Sequence, residues 1–326
     1  MTGPVDTTVV EAPPVSFGGG RAGTLIRAAV SIVALALVFS RVPPAGVLEA
    51  ILSLDPAWAF AAFGAVYAAI VLSACKWLLL LRARGYSVGI VRLTRHYLVG
   101  LFFNNFLPTS VGGDVVRAWD VGKDLDDAPG GAASVVAERL IASLGLGLTA
   151  ALGLPFVEAG PQATVAVGVV IAASATLVAL FLMPSRSAGM MRGAMGGRFE
   201  GVSDWVGEAV HGVRETLHHR GTVVLVLVLS MLFQVLVAVV NYCIFEALGS
   251  PVGLAECIVY SSIVSAVTMV PISISGHGVR EAGYAYFFGL AGVPASLAVT
   301  GSLLFFLFVA VATLPGAVLF ALGGRR

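Results

Sequence analysis

Long apolar runs recur along this chain and are separated by shorter polar segments. An α-helix rises about 1.5 Å per residue, so roughly 17–25 apolar residues carry it across a bilayer core. The runs show no strand-like alternation, so the predicted fold class is an all-α, polytopic integral membrane protein. About six full transmembrane helices are predicted, at residues 24–40, 57–81, 131–154, 163–183, 223–248 and 295–322.

Two other apolar segments, 96–107 and 255–270, run into helix breakers instead of completing a crossing. The breakers repeat one pattern, first at 108–117 and again at 271–280. Matching positions are Pro108 and Pro271, Ser110 and Ser273, Gly113 and Gly276, Asp114 and His277, Val116 and Val279, and Arg117 and Arg280. The predicted hinge and helix-break residues are Pro108, Ser110, Gly112, Gly113, Pro271, Ser273, Gly276 and Gly278. A break repeated in both halves of a membrane protein is the best sequence indication of a transport site.

Arginine-rich loops set the predicted orientation. Loop 82–95 has four arginines and no acid, and segment 184–222 has five arginines, so the positive-inside rule places both in the cytoplasm. Two spans link the predicted polar loop 117–130 to 184–222, so that loop is also predicted to be inside. Segment 96–116 then forms a re-entrant hairpin from the cytoplasm, whereas 255–292 enters from outside, either as a second hairpin or as two packed helices. We expect the pair to form an inverted-topology repeat.

The predicted domain organisation is one transmembrane domain, 21–326, preceded by a polar, disordered cytosolic tail, 1–20. Within 184–222, apolar residues recur at helical spacing, which predicts an amphipathic helix on the inner membrane surface. Trp58 and Trp77 lie near the two ends of the second span and are predicted to be interfacial anchors. The predicted location is the plasma membrane, with both termini cytoplasmic.

Composition supports a membrane protein and excludes several function classes. Of the 326 residues, 58% are hydrophobic and 11% are charged, with a mean hydropathy of +0.96, whereas soluble domains carry about 25% charged residues. The net charge of +1 gives no overall field for nucleic acid, so no nucleic-acid partner is predicted. Cys75, Cys243 and Cys257 lie in apolar runs without metal or disulfide spacing, and no metal or other cofactor is predicted.

The helix that follows each break is predicted to bind an anion. Its first backbone N–H groups lack helical partners and carry a partial positive charge, which attracts phosphate. The first break adds Asp114 and, one turn later, Arg117, and the second adds His277 and Arg280. Guanidinium groups match phosphate oxygens, so two opposed helix ends would form a phosphate-sized site near mid-membrane. His277 would couple protonation to transport because histidine titrates near neutrality.

Further polar residues join the predicted substrate-binding set. Glu138 and Arg139 lie about two turns inside a span, where an arginine costs about 2.5–3.5 kcal/mol to insert. Arg139 shares a helical face with Ser143, Gly147 and Ala151, a small-residue stripe which predicts that Arg139 points inward. The other members are Glu281, one turn after His277, and Asn104 and Asn105 in the first hairpin. Asp114, Glu138 and Glu281 are expected to orient the arginines or to meet a cationic head group.

Simpler roles stay open for three of these residues. In one alternative, Arg117 marks the cytoplasmic edge of the first hairpin and binds lipid head groups without specificity. In another, Arg139 extends to the interface and pairs only with Glu138. In the third, His277 caps a helix or is a hydrogen-bonded core histidine.

Enzymatic interpretations are disfavoured. The triplet 112–114 resembles an intramembrane aspartyl-protease motif, but Val111 stands where its first glycine belongs, and no second intramembrane aspartate is present. No rhomboid-type serine motif and no P-loop occur in the sequence, so any energy input must come from a gradient or a partner.

Three motifs, in order, resemble those of a known family. They are NNFLPTSVGGDVVR at 104–117, AERL at 137–140 and GHGVREAGY at 276–284. From about residue 24 onward the chain is similar to the flippase-like membrane domain of lysylphosphatidylglycerol synthases. The resemblance implies movement or handling of lipids between leaflets, and it adds Tyr284 to the predicted substrate-binding residues. In the full synthases an aminoacyl-transfer domain follows, and because the printed chain stops at Arg326 we do not expect lysyl transfer.

The predicted function is translocation of a lipid or lipid-linked substrate with an anionic or zwitterionic head group, without an enzymatic reaction. Arg117, Arg139 and Arg280 would bind the phosphate or a carboxylate. Membrane lipids are the predicted partners. One alternative is a small-solute transporter, whose cavity would lack a lateral opening for acyl chains. The other is an accessory subunit of a lipid-modifying or glycosyl-transferring enzyme, whose polar residues would pair completely and leave no cavity.

Overall fold

In a computed structural model of the protein, the described residues are 49, 52–106, 111–158, 160–183, 200–250, 252–270 and 273–323. The predicted tail, 1–20, and the predicted first span, 24–40, lie outside them. Three predicted hinge residues, Pro108, Ser110 and Pro271, also lie outside them.

Helices make up the described part of the chain, and no strand occurs in it, which confirms the all-α fold. In chain order they are α1 Pro56–Ala83, α2 Ile90–Phe106, α3 Gly112–Leu125, α4 Ala128–Gly153, α5 Pro161–Leu182, α6 Glu200–His218, α7 Arg220–Ala247, α8 Leu254–Met269, α9 Val279–Leu290 and α10 Ala295–Gly323. Short 3-10 turns follow α4 at Leu154–Phe156 and precede α9 at Ile274–Gly276.

Five helices, α1, α4, α5, α7 and α10, are long and apolar enough to cross a membrane. They confirm five of the six predicted spans and make the chain a multi-pass membrane protein. Aspartate followed by proline fixes where two of them begin. The Asp55 carboxylate accepts the Ala57 N–H at 2.8 Å before α1, and the Asp127 carboxylate accepts the Gly130 N–H at 2.7 Å at the start of α4.

Contacts of arginine side chains define one end of the bundle, which we name the arginine-rich end. Arg84, after α1, donates to the Gly130 carbonyl near the start of α4 at 3.1 Å. Arg95 on α2 donates to the Leu319 carbonyl near the end of α10 at 3.1 Å. Arg214 on α6 donates to the carbonyl of Phe181, at the end of α5, at 2.7 Å. Loops 82–95 and 117–130 and segment 200–222 therefore share this end, as the loop-parity argument predicts.

The opposite end is defined in the same way. The Asp55 N–H, before α1, donates to the Ala247 carbonyl at the end of α7 at 3.1 Å. Gly153, which ends α4, lies so close to Val259 of α8 that a Cβ on the glycine would be 2.9 Å from the valine side chain. The start of α8 therefore lies at the end away from the start of α2.

The first hairpin consists of α2 and α3. Helix α2 begins at Ile90, six residues before the predicted apolar segment, and at about 1.5 Å per residue its 17 residues still fall short of a core about 30 Å thick. The predicted polar loop 117–130 is wrong for most of its length, because α3 continues to Leu125. Arg117 and Val121 form the buried face of α3, while Asp120 and Asp124 find partners at the arginine-rich end. Both open ends of this hairpin lie there.

The second hairpin consists of α8 and α9. The rings of Tyr260 and Phe288 pack at 5.7 Å between centroids, and a Cβ on Gly283 would contact Val264 at 3.0 Å, so the two helices run side by side. The reversal between them uses left-handed backbone at Ser275, Gly276 and Gly278, which glycine adopts without steric cost. This hairpin opens at the end opposite to that of the first.

Protein packing covers part of two surfaces that were predicted to lie at the membrane boundary. Helix α6 is amphipathic, as predicted, but Val213 and Leu217 on its apolar face pack against α4 and the end of α5, so this part of the face is covered by protein. Trp77 is not an interfacial anchor: it is fully buried, and its indole N–H donates to the Ser134 hydroxyl at 2.9 Å.

The junction at the open end of the first hairpin has a pH-dependent component. His96 on α2 contacts Asp124 at 2.7 Å and Asp120 at 3.7 Å, both on α3, and α2 is not one of the five spanning helices. Arg92 also lies 3.5 Å from Asp124. Burial disfavours the imidazolium, but the hydrogen bonds and charges of the two aspartates outweigh this and raise the pKa of His96 above 6.5.

Because its folded-state pKa is raised, His96 contributes stability that is complete below its unfolded pKa of about 6.5 and is lost as the pH rises through the folded-state value. We expect His96→Gln to lower the melting temperature in detergent at about pH 6 and to change it little at about pH 9. Equal losses at both pH values would contradict the assignment.

Candidate functional site

A partly open cavity of about 190 Å³ lies where the two hairpins meet. Asn104 and Asn105 at the end of α2 form one part of its wall, and Thr268 of α8 and Arg280 of α9 form another. The remaining wall residues are Val264, Ser265, Ser275, Tyr284, Phe305 and Phe306. The cavity therefore joins four predicted substrate-binding residues from the two hairpins, Asn104, Asn105, Arg280 and Tyr284.

Arg280 is the charged residue of this wall and is held from two sides. Its Nη2 donates to the Glu281 carboxylate at 2.9 Å, and its Nε donates to the Ser302 hydroxyl at 3.1 Å. The guanidinium carbon lies 5.0 Å from the centre of the Phe306 ring. Within the described part of the chain, Nη1 has no hydrogen-bond partner. Arg280 is therefore fixed in position and still has donors for an incoming acceptor.

The predicted anion sites at the helix starts are partly filled by side chains. At the start of α9 the Gly278 N–H donates to the Glu281 carboxylate at 2.5 Å. At the start of α3 the Gly113 N–H donates to the Asn104 side-chain oxygen at 2.8 Å. These two N–H groups therefore stabilise the hairpins, and the arginine side chain is the better candidate for binding an anion.

A second group of charges lies apart from the cavity wall, between α1, α3 and α4. Arg117 donates to the Glu138 carboxylate, whose other oxygen lies 3.8 Å from the ammonium nitrogen of Lys76. The side chains of all three are at most 4% exposed. We name these residues, together with Asp114 and Arg139, the buried ion cluster.

Aromatic rings enclose Arg117 within this cluster. Its guanidinium carbon lies 4.5 Å from the centre of the Trp77 ring and 4.4 Å from that of Tyr97. Such cation–π contacts contribute about 2 kcal/mol or more where the cation is desolvated. Arg117 is 1% exposed, so its guanidinium is not presented to lipid head groups in this conformation.

Arg139 pairs with Asp114 instead of with Glu138 alone. Its Nε and Nη2 each donate to one Asp114 oxygen at 2.8 Å, which is a bidentate contact. The Arg139 side chain is 40% exposed, so it is not directed fully inward. The small-residue stripe on α4 instead packs on α5, where a Cβ on Gly147 would lie 2.9 Å from Ile171.

Asn104 connects the cavity to the buried ion cluster. Its side chain lines the cavity and accepts the N–H of Gly113, the residue before Asp114. Asn105, its neighbour, donates to the Thr313 hydroxyl of α10 at 3.0 Å. A shift of α3 would therefore be transmitted to the cavity wall through one side chain.

The other predicted residues lie around the second break. Glu281 is fully buried and holds Gly278 and Arg280, so it is not placed to meet a head group. The His277 ring packs edge-on against Phe306 at 4.8 Å. Of the described hinge residues, Gly112 and Gly113 begin α3, and Ser273, Gly276 and Gly278 are buried in the second break.

Several residues at the cavity and in the buried ion cluster are not among the predicted site residues. Lys76 is the one charged residue in the apolar run 57–81, and a charge inside a span is a sufficient signal for a buried partner or a functional site. Ser302 orients Arg280, and Ser265 and Thr268 of α8 line the cavity. In the sequence alone, these serines and this threonine do not differ from the serines and threonines that pack helices together.

The helices, the two hairpins and the polar cavity define a polytopic α-helical membrane protein. The chain belongs to the family of the lysylphosphatidylglycerol synthase TM region, whose model matches residues 24–316. This confirms the resemblance seen in the three motifs. The chain is also similar to a UPF0104 membrane protein of Methanothermobacter thermautotrophicus, with 26% identity over 289 residues, which are 82% of this chain and 86% of the relative.

Proposed function

We propose that this protein moves a lipid, or a lipid-linked substrate, with an anionic or zwitterionic head group between the two leaflets of the plasma membrane. The observation that carries the proposal is the cavity at which the two hairpin tips meet, with Arg280 held on its wall. An arginine kept beside a cavity at membrane depth is costly unless it has a function or a partner. Here it has partners and also keeps a donor for a substrate.

Opposed hairpins explain how such a site would become accessible from each leaflet. The first hairpin opens at the arginine-rich end and the second at the other end. We propose that the two are re-entrant halves of an inverted repeat and that the arginine-rich end, with both termini, is cytoplasmic. Small movements of one hairpin against the other would then expose the same cavity alternately.

The size of the cavity favours a lipid over a free solute. Pockets that enclose whole small molecules measure about 300–1,000 Å³, whereas this cavity measures about 190 Å³. It has room for a head group but not for acyl chains. Exposed apolar side chains lie next to the wall residue Thr268, at Val267, Met269 and Val270. The acyl chains of the lipid would lie against them.

The accessory-subunit alternative has partial support. The buried ion cluster pairs internally, as that alternative requires, but a polar cavity remains. We therefore assign the cluster to hairpin stability and the cavity to the substrate. Transport without an enzymatic step uses both the stable hairpins and the cavity between them.

Filling the cavity should stop transport. We expect Ser265→Phe to reduce the movement of fluorescent lipids in proteoliposomes to the rate of protein-free vesicles, because the added ring occupies the space of the head group. Leaflet exchange can be followed by dithionite quenching for lipids with several head groups. Ala175→Phe adds the same ring on the exposed face of α5 and is expected to leave the rate unchanged. Wild-type protein that moves no lipid faster than empty vesicles would contradict the proposal.

A further inference from the structure

We infer that the head group bound in the cavity is a phosphate with a net negative charge, as in phosphatidylglycerol, and not a zwitterionic or aminoacylated, cationic one. This inference rests on the proposed function. The charges on the cavity wall indicate the sign of the charge on the head group of the substrate.

Among the described residues, the wall has a cation but no acid. Arg280 is the ionisable group with a formal charge among the wall residues, and the others are amides, hydroxyls or apolar side chains. Two undescribed segments lie close in sequence to wall residues, 107–110 and 271–272, and they read Leu-Pro-Thr-Ser and Pro-Ile. None of these six side chains can carry a charge, so they cannot supply a counter-charge for a cationic head group.

The carboxylate that contacts Arg280, Glu281, is already committed. One Glu281 oxygen accepts from Arg280 at 2.9 Å and lies 3.4 Å from the Ser302 hydroxyl, and the other accepts the Gly278 N–H. Glu281 is 0% exposed and does not form part of the wall. An ammonium group in the cavity would therefore face Arg280 without Glu281 as a partner, and Asp114, which contacts Asn104, is already held by Arg139.

The aromatic residues of the wall do not form a cage for a quaternary ammonium either. Such a cage presents several free ring faces to the cation. The Phe306 ring already contacts Arg280 and His277, and Tyr284 is buried against Phe288, with ring centroids at 5.0 Å. Phe305, the third aromatic residue of the wall, packs against the apolar core. The Tyr284 hydroxyl donates to Asn241 at 2.6 Å. A choline head group would thus lack the site that it requires.

A phosphate, in contrast, matches what the wall offers. The Nη1 of Arg280, which has no partner among the described residues, is a charged donor, and charge-assisted hydrogen bonds to phosphate are about twice as strong as neutral ones. Asn104 and Asn105 extend from the opposite hairpin, so a phosphate bound between them and Arg280 would contact both hairpins. Binding would then depend on the relative position of the hairpins, which is what alternating access needs.

The test is a head-group comparison in proteoliposomes of the full chain. Fluorescent phosphatidylglycerol, phosphatidylcholine and lysyl-phosphatidylglycerol are measured in parallel with wild type, Arg280→Gln and Asn105→Asp. We expect wild type to move phosphatidylglycerol at least about tenfold faster than the other two lipids, because one unmatched charge contact corresponds to about that factor. Arg280→Gln is expected to abolish this preference.

Asn105→Asp adds a negative charge to the wall without changing its size. We expect it to slow phosphatidylglycerol and to speed lysyl-phosphatidylglycerol, which a merely misfolded variant would not do. Equal or faster wild-type movement of phosphatidylcholine or lysyl-phosphatidylglycerol would overturn the inference and leave the proposed function intact. No lipid movement at all would contradict the proposed function itself. Melting temperatures with inorganic phosphate and with short-chain phosphatidylglycerol separate the sources of the anion, and stabilisation by phosphate alone would overturn the lipid assignment.

Discussion

Replacing Gly113 with alanine is expected to destabilise the protein by about 3 kcal/mol or more, through the contact between α2 and α3. A Cβ at this position would lie 1.8 Å from the Gly100 carbonyl oxygen and 2.7 Å from the Asn104 side chain. The nearest atom belongs to helical backbone, which cannot rotate away as a side chain does. The two helices must therefore separate, which would also break the Gly113–Asn104 hydrogen bond.

The measurement is thermal or denaturant unfolding in detergent, followed by tryptophan fluorescence. Gly168→Ala is the matched control, because Gly168 lies inside α5 and a Cβ there meets nothing within 4 Å. Alanine is favoured over glycine in a helix interior by about 1 kcal/mol, so the control is expected to be neutral or stabilising. Comparable melting temperatures for the two variants would show that the close approach of α2 and α3 is not needed.

The repeated motif predicted more of the fold than its length suggests. Recurrence of proline, serine, glycine and arginine at matched spacing located both hairpins, and the counts of arginines in loops predicted which loops share an end. The positions of the hairpins and the ends at which loops lie follow from the hydropathy and the charge along the whole chain, so a sequence shows them directly. The prediction of a loop at 117–130 was wrong because α3 is a helix that buries only one face. The polar side chains of α3 find partners that are distant in sequence, such as His96.

The site could be predicted only in part, because identical spacing does not imply an identical environment. Arg117 and Arg280 both follow a proline by nine residues. Arg117 is enclosed by Glu138 and two aromatic rings, whereas Arg280 is held by its neighbour Glu281 and reaches the cavity. The difference depends on which helix packs against each hairpin, and that information is non-local.

This division of roles changes what an arginine substitution would mean. Loss of lipid movement in an Arg117 variant would follow from disruption of the buried ion cluster as readily as from loss of a substrate contact. Arg280 is the informative position, because its surroundings include a cavity. Lys76 shows the same limit of sequence patterns. It is buried, although the mean hydropathy of the run 57–81 predicts only an apolar span.

Removing the negative charge of Glu138 is expected to have the second large effect. Glu138→Gln would leave Arg117 and Lys76 buried without their shared carboxylate, and breaking a buried ion pair on one side costs about 3–5 kcal/mol. Asp114 would not compensate, because it is engaged by Arg139 at 2.8 Å and lies 3.5 Å from Arg117. Unfolding in detergent should show a large loss, whereas Glu158→Gln at an exposed position should show almost none.

A double variant separates charge imbalance from lost shape. The buried ion cluster holds three cations and two carboxylates, and Glu138→Gln raises its net charge from +1 to +2. Adding Lys76→Met restores the net charge to +1 and replaces the lysine with an apolar side chain, which buried sites often tolerate. We expect the double variant to be more stable than Glu138→Gln alone. If it is instead less stable by the sum of the two single effects, Lys76 and Glu138 act independently, and the cluster is not the electrostatic unit that holds α1, α3 and α4 together.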